Sequence, residues 1–257
     1  MEDWLLWMLA DSSLPTGGFV ASGGLEAALH ASQIHSEPSL ISFISTSLHN
    51  LAHSSIPYVR SAWSCLDSDS MQNSDTPPSE ELLRLDKLYD ALTGSNHVAR
   101  RASIAQGSAY LTVMERGFVD CVEDGKIKQM KLFKMKIRGG TTPGHLPITF
   151  GAITQCLRIS LDKTLHLYLY LHARTLLSSA VRLNLVGPYR AQALLLHLHS
   201  TVDKVLENYH LSVERPEDVD RVEGKGEEED EGGWQTSPLL DIMQGTHDRL
   251  YTRLFNT

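Results

Sequence analysis

Apolar residues recur every three or four positions through most of this chain, and that spacing most constrains its fold. The longest such run lies between positions 40 and 66 and comprises Leu40, Ile41, Ile44, Leu48, Leu51, Ala52, Ile56, Val59, Trp63 and Leu66. A period near 3.6 residues places these side chains on one face of an α-helix. We therefore predict one long amphipathic helix here, kinked at Pro57 because proline removes a backbone hydrogen bond.

Two shorter helices are predicted after it. Leucines within 82–88 follow the same period and predict a helix that ends near Gly94. Asn96 is a favoured N-cap residue, and apolar residues at helical spacing follow it until Gly117. A third helix is therefore predicted between Asn96 and Gly117.

The second half of the chain shows the same preference. Leucines alternate with His and Tyr at 165–172, as in a half-buried strand, but the segment continues to Arg182 without a turn residue. At that length a helix is favoured. Because apolar residues lie on all of its faces, we predict a central, mostly buried helix. Arg182 within it would then need hydrogen-bonding partners. An apolar helix is also expected at 148–159, and Pro188 begins another amphipathic one. No segment competes as a strand, so the predicted class is all-α.

Length and composition predict one helical-bundle-like domain over residues 1–257. A chain of 257 residues with 42% hydrophobic residues is close to the largest size that one core supports. Two segments, 67–78 and 214–235, are rich in Ser and Asp or in Glu and Gly and have little to bury. They are predicted to be flexible insertions, and the chain ends in a C-terminal tail.

Charge and cysteine content exclude some classes of function. The net charge of −8 argues against nucleic-acid binding, which needs an excess of clustered Lys and Arg. The three cysteines have no CxxC spacing, and acidic residues stand where a secretory signal would carry basic ones. Together with the lack of an uninterrupted apolar stretch, this predicts a cytoplasmic protein.

The glycine-rich stretch at 11–30, DSSLPTGGFVASGGLEAALH, could suggest a catalytic loop. No lysine follows Gly23 and Gly24, as a phosphate-binding loop requires, and no strand is predicted before it, as a dinucleotide fingerprint requires. A GxSxG hydrolase motif fails because position 20 is Val20. We interpret the stretch as a tight connection in which glycines let two helices meet closely.

The twelve histidines do not predict a metal site. His197 and His199 lie two residues apart and point to different sides of a helix, and the six-residue spacing of His166 and His172 is also poor. His145 lies in a second glycine-rich connection, at 139–147. It is either a capping histidine in a turn or a residue that lines an interface or passage.

Five blocks in order resemble the UreF family of urease accessory proteins. They cover almost the whole chain and are specific together, although none is decisive alone. The blocks are Leu14-Pro15-Thr16-Gly17-Gly18-Phe19 with Gly24-Leu25-Glu26, Arg101-Ala102-Ser103 with Gly107, Gly144-His145-Leu146-Pro147 with Phe150-Gly151, Ser178-Ser179-Ala180-Val181-Arg182-Leu183 with Gly187 and Gln192, and His247-Asp248-Arg249-Leu250-Tyr251-Thr252-Arg253-Leu254-Phe255. The resemblance lapses at about 67–78, 119–138 and 213–235, which look like insertions or divergent loops.

The resemblance implies an all-α adaptor and chaperone without a catalytic centre. A UreF dimer is expected to bind the accessory protein UreD, also called UreH, and with it to recruit the nickel-carrying GTPase UreG to apo-urease. The complex would handle nickel for insertion into urease, and this chain itself would bind no cofactor tightly.

The resemblance also implies two sets of candidate site residues. Candidates for a dimer or partner interface are Pro15, Gly17, Gly18, Phe19, Glu26, Gly144, His145 and Arg182. Candidates for a tail that binds UreD/UreH are His247, Arg249, Leu250, Tyr251, Arg253, Leu254 and Phe255. Aromatic, aliphatic and Arg side chains are typical of interfaces, but composition alone fits a tail docked on its own core equally well.

Two alternatives remain open at this point. The chain could be a small helical hydrolase-type enzyme with a glycine-lined pocket around Ser22 and His145. It could also be a nickel store that uses its histidines.

Overall fold

The computed structural model describes residues 1–67, 77–214 and 233–256, and every regular element in those ranges is helical. This confirms the all-α class. The α-helices are α1 (Glu2–Ala10), α2 (Leu25–His30), α3 (Glu37–Ser54), α4 (Ile56–Ser64), α5 (Pro78–Leu92), α6 (His97–Val113), α7 (Asp124–Arg138), α8 (Leu146–Cys156), α9 (Leu161–Arg182), α10 (Pro188–Glu214) and α11 (Pro238–Gly245). Short 3₁₀ or π turns lie at Gly18–Val20, Met114–Phe118, Val119–Cys121 and Thr246–Arg249.

Helix α8 forms the centre of the core. Every residue from Pro147 to Cys156 is buried, because this helix carries no charged side chain that would need water. Helices α4 and α6 pack against it. A Cβ added at Gly151 would lie 2.2 Å from the carbonyl oxygen of Val59, so this glycine permits the backbones of α8 and α4 to approach closely.

The long helix predicted between positions 40 and 66 is two helices instead. Helix α3 ends at Ser54, and α4 begins at Ile56 with Pro57 in its first turn. Proline fits there because the first N–H groups of a helix have no intrahelical acceptor. The break therefore precedes the proline.

The region 119–138, where the resemblance lapses, contains helix α7. It buries Lys126, Met130 and Phe133, while Lys128, Lys131 and Lys136 are exposed. Residues 124–138 are therefore a regular helix and not a loop.

The remaining sequence-predicted helices are present with shifted ends. Asn96 caps α6 by accepting a hydrogen bond from the N–H of Ala99 at 3.0 Å, as its residue type predicts. Helix α9 is continuous over 22 residues, but α8 is more completely enclosed. Arg182, at the end of α9, is exposed, so the expectation that it is buried is wrong.

The predicted flexible insertions fall mainly on 68–76 and 215–232, which lie outside the described residues. At the described end of the second, the N–H of Trp234 donates to the carbonyl oxygen of His53 at 3.1 Å, and the two rings stack at 5.2 Å. That end of the segment is therefore packed against α3.

Within the described ranges, no helix combines the length and the apolar character needed to cross a membrane.

Candidate functional site

The connection before α8 is held by a buried carboxylate. Asp86 projects from α5 and is fully buried. Its two oxygens accept hydrogen bonds from the hydroxyl of Thr142 at 2.5 Å and from the N–H groups of Gly144 and His145, each at 2.7 Å. One side chain from a distant helix thus fixes the backbone of the loop, which we call the 142–146 loop.

The ring of His145 is bonded on both sides. Its Nε2 lies 3.0 Å from an oxygen of Asp90, and its Nδ1 lies 3.1 Å from the hydroxyl oxygen of Ser103. Because a carboxylate only accepts, Nε2 carries the hydrogen and Nδ1 accepts from Ser103. The same Ser103 oxygen accepts the N–H of Leu146 at 3.1 Å. His145 therefore fastens the start of α8 to α5 and α6.

Two ionisable groups in this cluster have shifted pKa values. Burial lowers the pKa of His145, despite its bond to Asp90, so the ring is neutral. Burial alone would raise the pKa of Asp90, but hydrogen bonds from Arg100 at 2.6 Å and from His145 outweigh it and lower that pKa. The pair is thus a neutral imidazole that donates to an ionised carboxylate.

A close backbone contact reinforces the 142–146 loop. A Cβ added at Gly107 of α6 would lie 2.2 Å from the carbonyl oxygen of Gly144. Gly144 and His145, which the sequence suggested as interface residues, are buried inside the chain. A partner protein would therefore contact the residues that cover Gly144 and His145, and not these two residues directly.

A second buried carboxylate holds the end of the chain. Both oxygens of Glu26, in α2, accept hydrogen bonds: from the N–H of Leu254 at 2.6 Å, from the N–H of Phe255 at 3.2 Å and from Nε2 of His247 at 2.9 Å. Burial would raise the pKa of Glu26, but these bonds together lower it. The N–H of Asn256 adds a bond to the carbonyl oxygen of Val20 at 3.1 Å.

The predicted tail therefore docks on its own core and divides into two faces. We call residues 247–256 the C-terminal segment. His247 and Phe255 form its inner face, exposed by 0% and 4%, and the guanidinium of Arg182 lies 4.5 Å from the centre of the Phe255 ring. Arg249, Tyr251, Arg253 and Leu254 form its outer face; Tyr251 is fully exposed and Leu254 is 61% exposed, while Leu250 is half-buried.

Ion pairs at the rim of the C-terminal segment orient its outer face. Asp248 pairs with Arg101 of α6 and with Arg253 at 2.9 Å, and one of its oxygens lies 3.1 Å from Nε2 of His97. Hydrogen bonding by Arg101 lowers the pKa of Asp248 to about 2. The carboxylate stays ionised at neutral pH and ties the segment to α6.

The glycine-rich connection lies beside the C-terminal segment. Gly24 has a φ of 87°, and a Cβ there would lie 3.2 Å from the Cβ of Gln244 in α11. Both the left-handed backbone and the narrow space favour glycine. Pro15 is exposed, Gly17 and Gly18 are partly exposed, and Phe19 lies within the Gly18–Val20 turn.

A cavity of about 270 Å³, lined by both apolar and polar side chains, lies between this connection and helices α3, α6 and α9. The hydroxyl of Ser47 and Nε2 of His172 meet in it at 2.7 Å. Burial lowers the pKa of His172 to about 4, far from the neutral range in which a general base works best.

The structure does not pair Ser22 with His145. The Ser22 hydroxyl is buried and has no hydrogen-bond partner among the described residues, while the two ring nitrogens of His145 are hydrogen-bonded to Ser103 and to Asp90.

The sequence alone did not predict that Asp86, Asp90 and Ser103 contact the 142–146 loop. It named Glu26 and His247 without predicting that they meet.

These features define an all-helical protein in which two buried carboxylates fix an internal loop and the C-terminal segment. Residues 34–199 match the UreF family model. The chain is 35% identical to urease accessory protein 6 of Cryptococcus neoformans var. grubii over 98% of this chain and 96% of the relative. It is 32% identical to urease accessory protein F of Oryza sativa, over 99% of this chain and 85% of the relative, and of Arabidopsis thaliana, over 98% and 91%. The chain belongs to the UreF family.

Proposed function

We propose that this chain is a non-catalytic urease maturation factor. Acting in the cytoplasm as a homodimer, it binds UreD/UreH and recruits the GTPase UreG, which carries nickel, to apo-urease. The names of its relatives and its family membership support the role in urease maturation. The nickel ion is cargo of the complex, and this chain holds no cofactor for that task.

The two faces of the C-terminal segment carry this proposal. Hydrogen bonds to Glu26 fix the backbone of the segment, so binding a partner costs little additional conformational entropy. Its outer face presents Tyr251 and Leu254 beside Arg249 and Arg253, and Tyr and Arg are enriched among residues that dominate interface energies. A fixed backbone with exposed apolar side chains is suited to bind UreD.

One arrangement favours an enzyme as the second candidate. Ser103, His145 and Asp90 form a serine, histidine and carboxylate chain. However, the Ser103 oxygen already accepts the N–H of Leu146, and His145 is fully buried. An adaptor predicts that purified wild-type protein hydrolyses p-nitrophenyl acetate no faster than Ser103→Ala; a rate lost specifically in that variant would support the enzyme.

Co-expression with a cognate UreD and UreG, followed by size-exclusion chromatography with light scattering, tests the adaptor. We expect a stable complex that contains two copies of this chain. Failure of the folded proteins to associate would contradict the proposal.

A matched pair of variants locates the surface. We expect Tyr251→Ala with Leu254→Ala, or truncation before Leu250, to weaken co-purification with UreD while helix content by circular dichroism stays nearly unchanged. The control is Tyr189→Ala with Leu196→Ala on α10, which removes an aromatic and a leucine of similar exposure. Full co-purification after the truncation would show that the C-terminal segment is not part of the interface with UreD.

A further inference from the structure

Three side chains that could ligate a metal ion converge where α9 and α10 pack together. They are His166 of α9 and His199 and Asp203 of α10, and their ligand atoms all lie within 4.8 Å of one another. One Asp203 oxygen lies 3.3 Å from Nε2 of His166, and the other lies 3.0 Å from Nδ1 of His199. The spacing rules for one helix could not find this group, because its members come from two helices.

The separations of these atoms fit a shared ion. Metal–nitrogen and metal–oxygen bonds of about 2.0–2.2 Å place neighbouring ligand atoms roughly 3.0–3.4 Å apart. Both histidine–carboxylate distances lie in that range, one to each oxygen of Asp203, so the carboxylate would bind the ion through both oxygens. The two imidazole rings are 5.7 Å apart and inclined at 55°, so their edges can face one point between the helices. Small side-chain rotations would bring the three groups onto one ion.

The helices hold the ligands at fixed positions. Leu165 precedes His166 and is fully buried, and Leu198 and Val202, which precede His199 and Asp203, are also buried. The backbones of both helices are therefore anchored directly beside the ligands. Sites built on packed helices are held more accurately than sites on loops, which reduces the cost of binding an ion.

Nearby charges favour a cation. Asp162 precedes His166 by one helical turn and Glu207 follows Asp203 by one turn, so both carboxylates are on the same helix faces as the ligands. Both are exposed. Of the two nearby lysines, Lys163 pairs with Glu2 and Asp3 at 2.9 and 2.8 Å, and Lys204 follows Asp203 in the sequence. With Asp203 itself, carboxylates therefore outnumber lysines around the cluster.

We propose that His166, His199 and Asp203 bind one divalent first-row transition-metal ion. Two imidazoles and one carboxylate suit ions such as Ni²⁺ and Zn²⁺, whereas Mg²⁺ and Ca²⁺ prefer oxygen ligands. All three side chains are at least 40% exposed, so water can complete the coordination. This site goes beyond the proposed adaptor function, in which UreG carries the nickel.

Another histidine pair of the chain lacks these features. His49 and His53 are four residues apart on α3, but the ring of His53 stacks on Trp234 at 5.2 Å. Among the described residues, no third ligand joins that pair, whereas Asp203 joins both histidines of the α9–α10 cluster.

The test is a calorimetric titration of the full-length chain with Ni²⁺, repeated with Zn²⁺. We expect one equivalent of each ion to bind, with affinity unaffected by excess Mg²⁺. His166→Ala and His199→Ala should each weaken binding by about tenfold or more, because loss of even an outer-shell partner costs 10–100-fold. His197→Ala, on the same helix but facing another side, should change it by less than about twofold.

The double variant distinguishes shared coordination from two separate histidines. With one shared ion, each single variant weakens binding of the same single equivalent, and His166→Ala with His199→Ala, which leaves Asp203 as the only ligand, abolishes it. With two separate histidine sites, each single variant would instead remove a different equivalent. The proposal would be overturned if His199→Ala bound the ion as tightly as wild type, or if His166→Ala had no effect. Binding of several equivalents with similar affinity would instead indicate a nickel store. Co-purification with UreD should persist in His199→Ala, which separates this test from that of the adaptor.

Discussion

The 142–146 loop and the C-terminal segment are both held by buried carboxylates that accept backbone N–H groups, but they differ in completeness. Asp86 lies inside the core, and both nitrogens of the neighbouring His145 have partners. Glu26 also accepts three hydrogen bonds, yet Nδ1 of its partner His247 has none among the described residues. The loop has no exposed residue, whereas the segment has one exposed face. The comparison indicates an internal brace in the first case and, in the second, a docked segment whose exposed face is available for the proposed partner.

The largest effect should come from Asp86→Ala, which leaves three buried donors without an acceptor. We expect the free energy of unfolding to fall by about 4 kcal/mol, because each buried unsatisfied group costs roughly 1–3 kcal/mol. Urea unfolding measures this loss, with the exposed Asp162→Ala as the control. A loss below about 1 kcal/mol would show that water or another group replaces the carboxylate.

Gly107→Ala should disturb the same loop through its backbone contact. The added Cβ meets the carbonyl oxygen of Gly144, so we expect a loss of about 3 kcal/mol, the upper range for overpacking. Gly125→Ala is the matched control, since it is also helical and a Cβ there meets nothing within 4 Å. That variant should gain about 0.5 kcal/mol, and equal effects at both positions would contradict the close packing.

Glu26→Gln should act on the C-terminal segment alone. A glutamine retains one acceptor but turns an amide NH₂ toward N–H donors, so we expect about 2 kcal/mol of local destabilisation. Hydrogen exchange should accelerate at the amides of Leu254 and Phe255 and stay unchanged at His145. Asp248→Asn, at the exposed rim, should cost below about 1 kcal/mol. Faster exchange throughout the core would mean that the segment and the core unfold together.

The smallest effects should appear on acidification, in two pH windows. Burial keeps His145 and His172 neutral with lowered pKa values, so stability is complete above pH 6.5 and falls as the unfolded chain takes up protons below it. Glu26 has a lowered pKa, so its contribution is present above pH 4.5 and is lost as the pH falls through its folded pKa. In urea unfolding across pH, Glu26→Gln should retain the first decline and lose its share of the second. An unchanged profile below pH 4.5 would exclude Glu26 as the cause.

The sequence predicted the helices better than the contacts between them. Asn96 and Pro188 mark the starts of helices through their own local chemistry, so a short stretch of sequence is enough to predict these starts. Ser55 carries no such signal, and the break between α3 and α4 was therefore placed at Pro57. Helix α7 was missed because dissimilarity to a family does not indicate loss of regular structure.

The sequence identified several residues of the candidate site but not the residues that they contact. Glu26 and His247 are 221 positions apart, and Asp86 and His145 are 59 apart. Only the packing of α2, α5 and the chain end brings them together, and no periodicity encodes that. The His166, His199 and Asp203 cluster was missed for the same reason, since two helices share it.

Hydrogen exchange of the chain, free and bound to UreD, tests the central claim that the C-terminal segment is the docked partner-binding surface. The account predicts that the amides of Leu254 and Phe255 exchange faster than those of Gly144 and His145 in the free chain. With UreD, protection should rise at 249–256 and remain constant at 142–146. Unchanged exchange at 249–256 in a stable complex would contradict the account, because UreD would then bind another surface.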